Sequence, residues 1–145
     1  MFMGEFHPVL DEKGRVAIPV KQRRAFGEDQ IINSLVITYG FDKCIMGFRD
    51  EDWKDFVANR LINLPQSDPK NRMRMRVLLG GACECDLDKQ GRITIPVYLL
   101  EYAGLNKEAV ILGLYNRIEI WSKSEYESYK PDKDEMNAFA SELGF

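Results

Sequence analysis

One histidine and three cysteines in 145 residues leave little from which to build a metal centre or an acid–base active site. The cysteines cannot close a disulfide framework, because their number is odd and Cys83 and Cys85 sit two residues apart. A reducing compartment is therefore expected. No apolar run approaches the roughly 18 residues of a membrane-spanning helix, so no membrane partner is expected. The opening MFMGEFHPVL lacks the basic-then-apolar layout of a secretory leader, which places the expected location in the cytoplasm. There is no G-x-x-x-x-G-K-[ST] phosphate loop and no carboxylate pair beside a nucleophile, so neither an enzyme nor a cofactor is expected. A basic surplus is missing too. The 20 Lys and Arg against 23 Asp and Glu give a net charge of −3, which argues against a protein that coats nucleic acid indiscriminately.

What remains is an ordinary soluble composition, 45% hydrophobic and 30% charged, with room for one domain or two very small ones. The net charge conceals an asymmetry. Residues 1–81 hold 13 Lys/Arg against 11 Asp/Glu, net +2, whereas residues 82–145 hold 7 against 12, net −5. Any anion-binding surface is therefore expected to be local and to lie in the N-terminal half.

The organising feature is an internal repeat. HPVLDEKGRVAIPVKQRRAFG (7–27) returns 77 residues later as ECDLDKQGRITIPVYLLEYAG (84–104), with eight of 21 positions identical. The similarity continues weakly, from LVITYGFDKCIMGFRDEDW (35–53) to AVILGLYNRIEIWSKSEY (109–126). Each copy reads as strand, tight turn, strand, short helix and hairpin. Asp11 and Asp88 can begin type I turns, and Gly14 and Gly91 supply the position that tolerates positive φ. Val16 and Ile18, like Ile93 and Ile95, alternate with polar or small residues as in a half-buried strand. Pro19 and Gly27 bracket a helix over roughly 19–26, with Gly27 as its left-handed stop, and Pro96 and Gly104 repeat the device. Strands follow around 35–38, 44–48, 109–113 and 117–121, the last two joined by LYNRI with Asn116 at the turn.

Between the copies, Trp53, Phe56, Val57, Leu61 and Leu64 fall at helical spacing in 50–64, a helix that Pro65 ends. Ser67 or Asp68 can cap a second helix running to about Leu79, which Gly80-Gly81 breaks. Near the C-terminus Met136, Phe139, Ala140 and Leu143 predict a short docking helix after a KPD linker. The chain thus divides into a first repeat (1–49), a helical crossover (50–79), a second repeat (80–129) and a helical tail (130–145). A unit of about 45 residues with four short strands has too little core to stand alone. The two halves are therefore expected to share one core. The predicted fold is mainly β with helices (α+β), a pseudo-twofold β-barrel whose two D-x-x-G-R turns are related by the pseudo-dyad.

LDEKGRVAIP and LDKQGRITIP, each leading into a short helix closed by glycine, resemble the AbrB-like swapped-hairpin DNA-binding domain. Two copies in a chain of this length resemble the MraZ family, particularly over RMRVLLGGACECDLDKQGRITIP and LNKEAVILGLYNRIEIW. The resemblance covers roughly residues 1–130. It implies two AbrB-like half-repeats in one swapped-hairpin barrel, and a transcriptional regulator that assembles into a homo-oligomeric ring. Its implied partner is double-stranded DNA carrying short direct repeats in a promoter, that of its own division and cell-wall operon, with the protein associated with the nucleoid.

Arg15 and Arg92, each following a turn glycine, read in two ways. They can reach DNA, where arginine holds phosphate or a guanine edge bidentately, or they can pair with Asp11 and Asp88 across the turns. The two readings are compatible, because an aspartate can orient an arginine that also touches DNA. The copies differ in charge. Residues 7–27 carry Lys13, Arg15, Lys21, Arg23 and Arg24 against Asp11 and Glu12, net +3. Residues 84–104 carry Lys89 and Arg92 against four acids, net −2. Lys21, Arg23 and Arg24 match Tyr98, Leu100 and Glu101, so the first copy is expected to carry most of any DNA contact, unless those three basic residues form only a solvated face. RMRMR (72–76) reads as a solvent-facing or inter-subunit cluster, and Cys83-x-Cys85 as small hydrophobes on one strand face. An alternative to the regulator is a ring-forming interaction scaffold that lacks specific DNA binding.

Overall fold

The computed structural model describes residues 1–145. The first repeat contributes β1 (Phe2–Phe6), β2 (Arg15–Ala17), α1 (Val20–Arg23), β3 (Ser34–Tyr39) and β4 (Ile45–Phe48), followed by α2 (Asp50–Phe56), which opens the crossover. After the crossover helix α3 (Pro69–Gly80), the second repeat supplies the same succession. It runs through β5 (Cys83–Asp86), β6 (Arg92–Thr94), α4 (Val97–Ala103), β7 (Ala109–Tyr115), β8 (Arg117–Ser122) and α5 (Lys123–Tyr129), and α6 (Lys133–Glu142) closes the chain.

The architecture is α+β and mostly antiparallel, and it follows the duplication. Six strands lie in the order β1-β7-β8-β4-β3-β5, while β2 and β6 pair as a separate ribbon. Exchanging the repeats maps β1 onto β5, β7 onto β3 and β8 onto β4, so the strand order reads the same from either edge. Each repeat lends a strand to the other: β1 pairs with β7 and β5 with β3. The pseudo-dyad runs through the matched pairs Val16↔Ile93 in the ribbon and Met46↔Glu119 in the sheet. Neither half can therefore complete its own sheet.

One cluster of 18 buried side chains draws on both halves. Val16, Ile18, Ile93 and Ile95 are each 2% exposed or less, which is why the strands around the two turns alternate so regularly. Each such side chain contributes about 1.5–3 kcal/mol of burial. The crossover packs separately, with Met46, Phe48, Leu61 and Leu78 at its centre. Asp68 caps α3 by accepting the Lys70 N–H at 2.9 Å, Pro69 occupies its first turn, and the Thr38 hydroxyl donates to the Leu78 carbonyl at 2.8 Å.

Three local expectations need correction. The first repeat's helix spans Val20–Arg23, not 19–26, because the backbone leaves helical geometry at Arg24 (φ −108°, ψ 12°) and Phe26 turns in against Phe2. Gly27 has positive φ but an extended ψ (105°, 162°), so it is not a helix stop, whereas Gly104 (64°, 27°) is one. The β7–β8 hairpin turns at Asn116 as expected, and Tyr115 before it takes the left-handed conformation (φ 67°). The helix beginning at Asp50 runs as α to Phe56 and continues through a wider π turn over Val57–Leu61, stopping short of Pro65. The tail helix α6 forms, opened by a capping box at Asp132 and Glu135, yet every residue of it is exposed.

Candidate nucleic-acid interface

The D-x-x-G-R spacing builds the same turn twice. The Asp11 carboxylate accepts the backbone N–H groups of Lys13 (3.0 Å) and Arg15 (2.9 Å), and its second oxygen accepts the Arg15 Nε–H at 2.6 Å. Asp88 accepts from Gln90, from the Arg92 backbone and from Arg92 Nε, all at 2.9 Å. An aspartate four residues before the arginine is what lets one short carboxylate hold both ends of the turn. Gly14 and Gly91 sit between them at φ +76° and +75°, where a side chain is strained. The backbone N–H of each arginine, followed by its guanidinium, holds the partner aspartate's carboxyl below the usual carboxylate range, against partial desolvation.

The ribbon brings both turns to one end of the molecule. Arg15 lies opposite Thr94 and Ala17 opposite Arg92. The Ile18 N–H donates to the Gly91 carbonyl and the Ile95 N–H to the Gly14 carbonyl, both at 2.9 Å. Arg92 Nη1 also approaches Asp11 Oδ2 at 3.8 Å, so Asp11 stands between both arginines. Arg15 and Arg92 remain about a third exposed. Each guanidinium is thus oriented by a carboxylate while part of it stays open to a ligand. Lys13, Lys21, Arg24 and Lys89 are exposed, and Arg24 meets only the exposed Glu28, at 3.5 Å.

Arg23 is placed differently from its neighbours. It is half-buried, its Nε–H donates to the Ile18 carbonyl at 3.0 Å, and its guanidinium lies against Gly91 of the other repeat's turn. Leu100, its counterpart, lies against Gly14. Of the basic residues in and just after α1, Arg23 thus supports the second turn, while Lys21 and Arg24 are exposed.

Sequence reasoning missed Gln22. It is 1% exposed and donates Nε2–H to the Met3 carbonyl at 2.8 Å, tying α1 to β1. Its counterpart in the repeat is the fully buried Leu99, and that alignment was the available signal. The two thiols of C-x-C lie 3.8 Å apart on one strand face, and burial pushes Cys85 and Cys44 up to about 12. No group of three or more His, Cys, Asp or Glu side chains is placed to hold a metal ion. No helix is long and apolar enough to cross a membrane.

Comparison with known proteins gives this arrangement a family context. The family model for the MraZ protein, described as antitoxin-like, matches the chain twice, over residues 1–77 and 78–143. A protein of Lachnoclostridium phytofermentans named transcriptional regulator MraZ is 42% identical over 145 residues, covering 99% of this chain and 98% of that protein. Its namesake in Alkaliphilus oremlandii is 41% identical over 148 residues and 99% of each chain. The one in Lactobacillus helveticus is 44% identical over 135 residues, covering 93% and 90%.

Proposed function

The chain belongs to the MraZ family, and from that premise we propose that it is a DNA-binding transcriptional regulator that contacts DNA through the end of the molecule where its two D-x-x-G-R turns meet. The observation that carries the reading is the juxtaposition of Arg15 and Arg92, each held by its own aspartate and each still partly exposed, beside the exposed Lys13, Lys21 and Arg24. The family is one of regulators, so no catalytic step is assigned. The cytoplasm, in association with the nucleoid, is the corresponding location.

In this reading the first repeat supplies most of the contact. Arg15 reads a guanine edge or clamps a phosphate, Lys13, Lys21 and Arg24 take flanking phosphates, Lys89 and Arg92 touch DNA at the margin of the site, and Arg23 supports the second turn. An acidic chain with a few phosphate contacts per subunit binds weakly on its own, and more weakly as salt rises. Assembly into a homo-oligomeric ring makes each later contact intramolecular, so modest patches add up to useful avidity. A ring that offers one such surface per subunit suits short direct repeats spaced by about one helical turn. The target that fits is the promoter of the protein's own division and cell-wall operon. The acidic second repeat favours one other reading, a ring that binds protein and has no specific affinity for DNA.

The test is fluorescence anisotropy with DNA from upstream of the coding region against a base-shuffled duplex, at one fixed near-physiological salt concentration. Preferential binding of the upstream duplex is expected. Equal, weak binding to both would overturn the regulator reading and favour the scaffold.

A further inference from the structure

Two of the places where exposed apolar side chains gather match each other in shape and charge. Between α3, the turn after α2 and the start of α4 runs an open groove of about 1100 Å³, walled by Tyr39, Phe56, Leu64, Met73, Val77 and Tyr98. Arg60, Arg74 and Arg76 also line it, and no acidic side chain does. Met73 and Val77, at the groove, are 55% and 40% exposed. The second place is α6. Its Met136, Phe139, Ala140 and Leu143 recur at i, i+3, i+4 and i+7, so they share one face, and all four are exposed. The segment 132–142 carries Asp132, Asp134, Glu135 and Glu142 against Lys133, net −3.

We propose that α6 of one copy of the chain docks in this groove of a second copy. Its Met136–Phe139–Leu143 face would lie on the apolar walls and its carboxylates against the arginines at the rim. The charges are complementary in sign, and the apolar stripe of a ten-residue helix, about 15 Å long, matches a helix-in-groove contact. Alone, either surface leaves large apolar side chains in water. The occupant is a second copy and not the chain's own tail because α6 is held away from its own body. Only Lys130, Pro131 and Asp132 separate it from α5, Lys130 is extended (φ −64°, ψ 136°) ahead of the proline, and α6 leaves all its residues exposed. Groove and helix are different surfaces, so the contact is head-to-tail, and repeating it generates a ring if the rotation closes. The inference rests on the oligomer part of the function proposed above and is independent of the DNA part.

Two full-length variants test it by sedimentation velocity. M136D/F139D disables the helix face and M73D/V77D disables the groove. All four positions are exposed, so the core is untouched, and circular dichroism checks folding. The expected result is that the unmodified chain sediments as an assembly larger than a dimer, while each variant alone sediments as a 16.8 kDa monomer. An equimolar mixture should give a one-to-one heterodimer, because one intact groove and one intact helix remain between the two chains. Added salt should weaken that heterodimer. Three results would overturn the proposal: a variant that keeps the full assembly, a mixture that stays monomeric, or an unmodified chain that is itself monomeric. In the first case the ring survives on another surface. In the last, the oligomer part of the proposed function falls as well. Binding of each variant to a duplex with a single repeat reports the DNA part separately.

Discussion

Arg23 of the first repeat covers Gly91 of the second. A Cβ added at Gly91 would fall 2.6 Å from the guanidinium carbon, and at the equivalent place Leu100 covers Gly14, with Cδ1 at 3.1 Å. The two turns are thus alike in backbone and unlike in what packs on them, and the difference is one of charge.

Alanine at either glycine is expected to lower stability by about 1–2 kcal/mol, the cost of a side chain at positive φ. Gly91→Ala also pushes the Arg23 guanidinium aside. Combining it with Arg23→Ala should therefore cost less than the sum of the single changes, as read from urea unfolding in a double-mutant cycle. Strict additivity would show that Arg23 yields without resistance.

Lys21→Ala and Arg24→Ala should each weaken DNA binding about equally for specific and shuffled duplexes. Each should reduce the slope of log K against log salt by about one. Unchanged slopes would make them a solvated helix face with no phosphate contact.

Much of this was legible in the sequence because the decisive interactions are local. The Asp11–Arg15 and Asp88–Arg92 turns are closed by bonds spanning four residues, and the glycines between them announce their backbone. The duplication was equally plain, and from it the shared core. The packing of Arg23 on Gly91 was not legible, since it depends on which strands the repeats exchange. Gln22 was half-legible: its alignment with Leu99 marks a core position, but its bond to the Met3 carbonyl comes from tertiary placement of β1. Amphipathic spacing announced that α6 seeks a partner and was silent on where that partner lies.

Acid should destabilise the turns. Asp11 and Asp88 have carboxyl pKa values lowered by the backbone N–H and guanidinium of Arg15 and Arg92. Because the folded value lies below the unfolded one, this stabilisation is complete above the ordinary carboxylate pKa, about 3.9. It is lost as pH falls through the lower folded value. Thermal midpoints followed from pH 6 to pH 2 should show that loss in the unmodified chain. Asp11→Asn should lack its share, beginning with a lower midpoint at pH 6 and falling less. Parallel curves would contradict the assignment.

Cys44 and Cys85, pushed up to about 12 by burial, should resist alkylation at pH 7.5 in the folded protein and react on unfolding. Mass spectrometry after brief iodoacetamide treatment checks this. Rapid native labelling of either would show that the β3–β5 edge or the 40–44 loop opens readily.

The most direct test of the account compares Arg15→Ala with Arg92→Ala in binding to upstream and shuffled duplexes at a single salt concentration. Both side chains sit in equivalent turns, each bonded through Nε to the aspartate four residues before it, and differ in their surroundings, where Arg92 also approaches Asp11. Arg15→Ala is expected to lose about 10–100-fold in affinity for the upstream duplex, the worth of one bidentate arginine contact, and most of its preference over the shuffled one. Arg92→Ala should retain most of both. If Arg15→Ala discriminates as well as the unmodified protein, the first-repeat turn does not read DNA and the account is wrong.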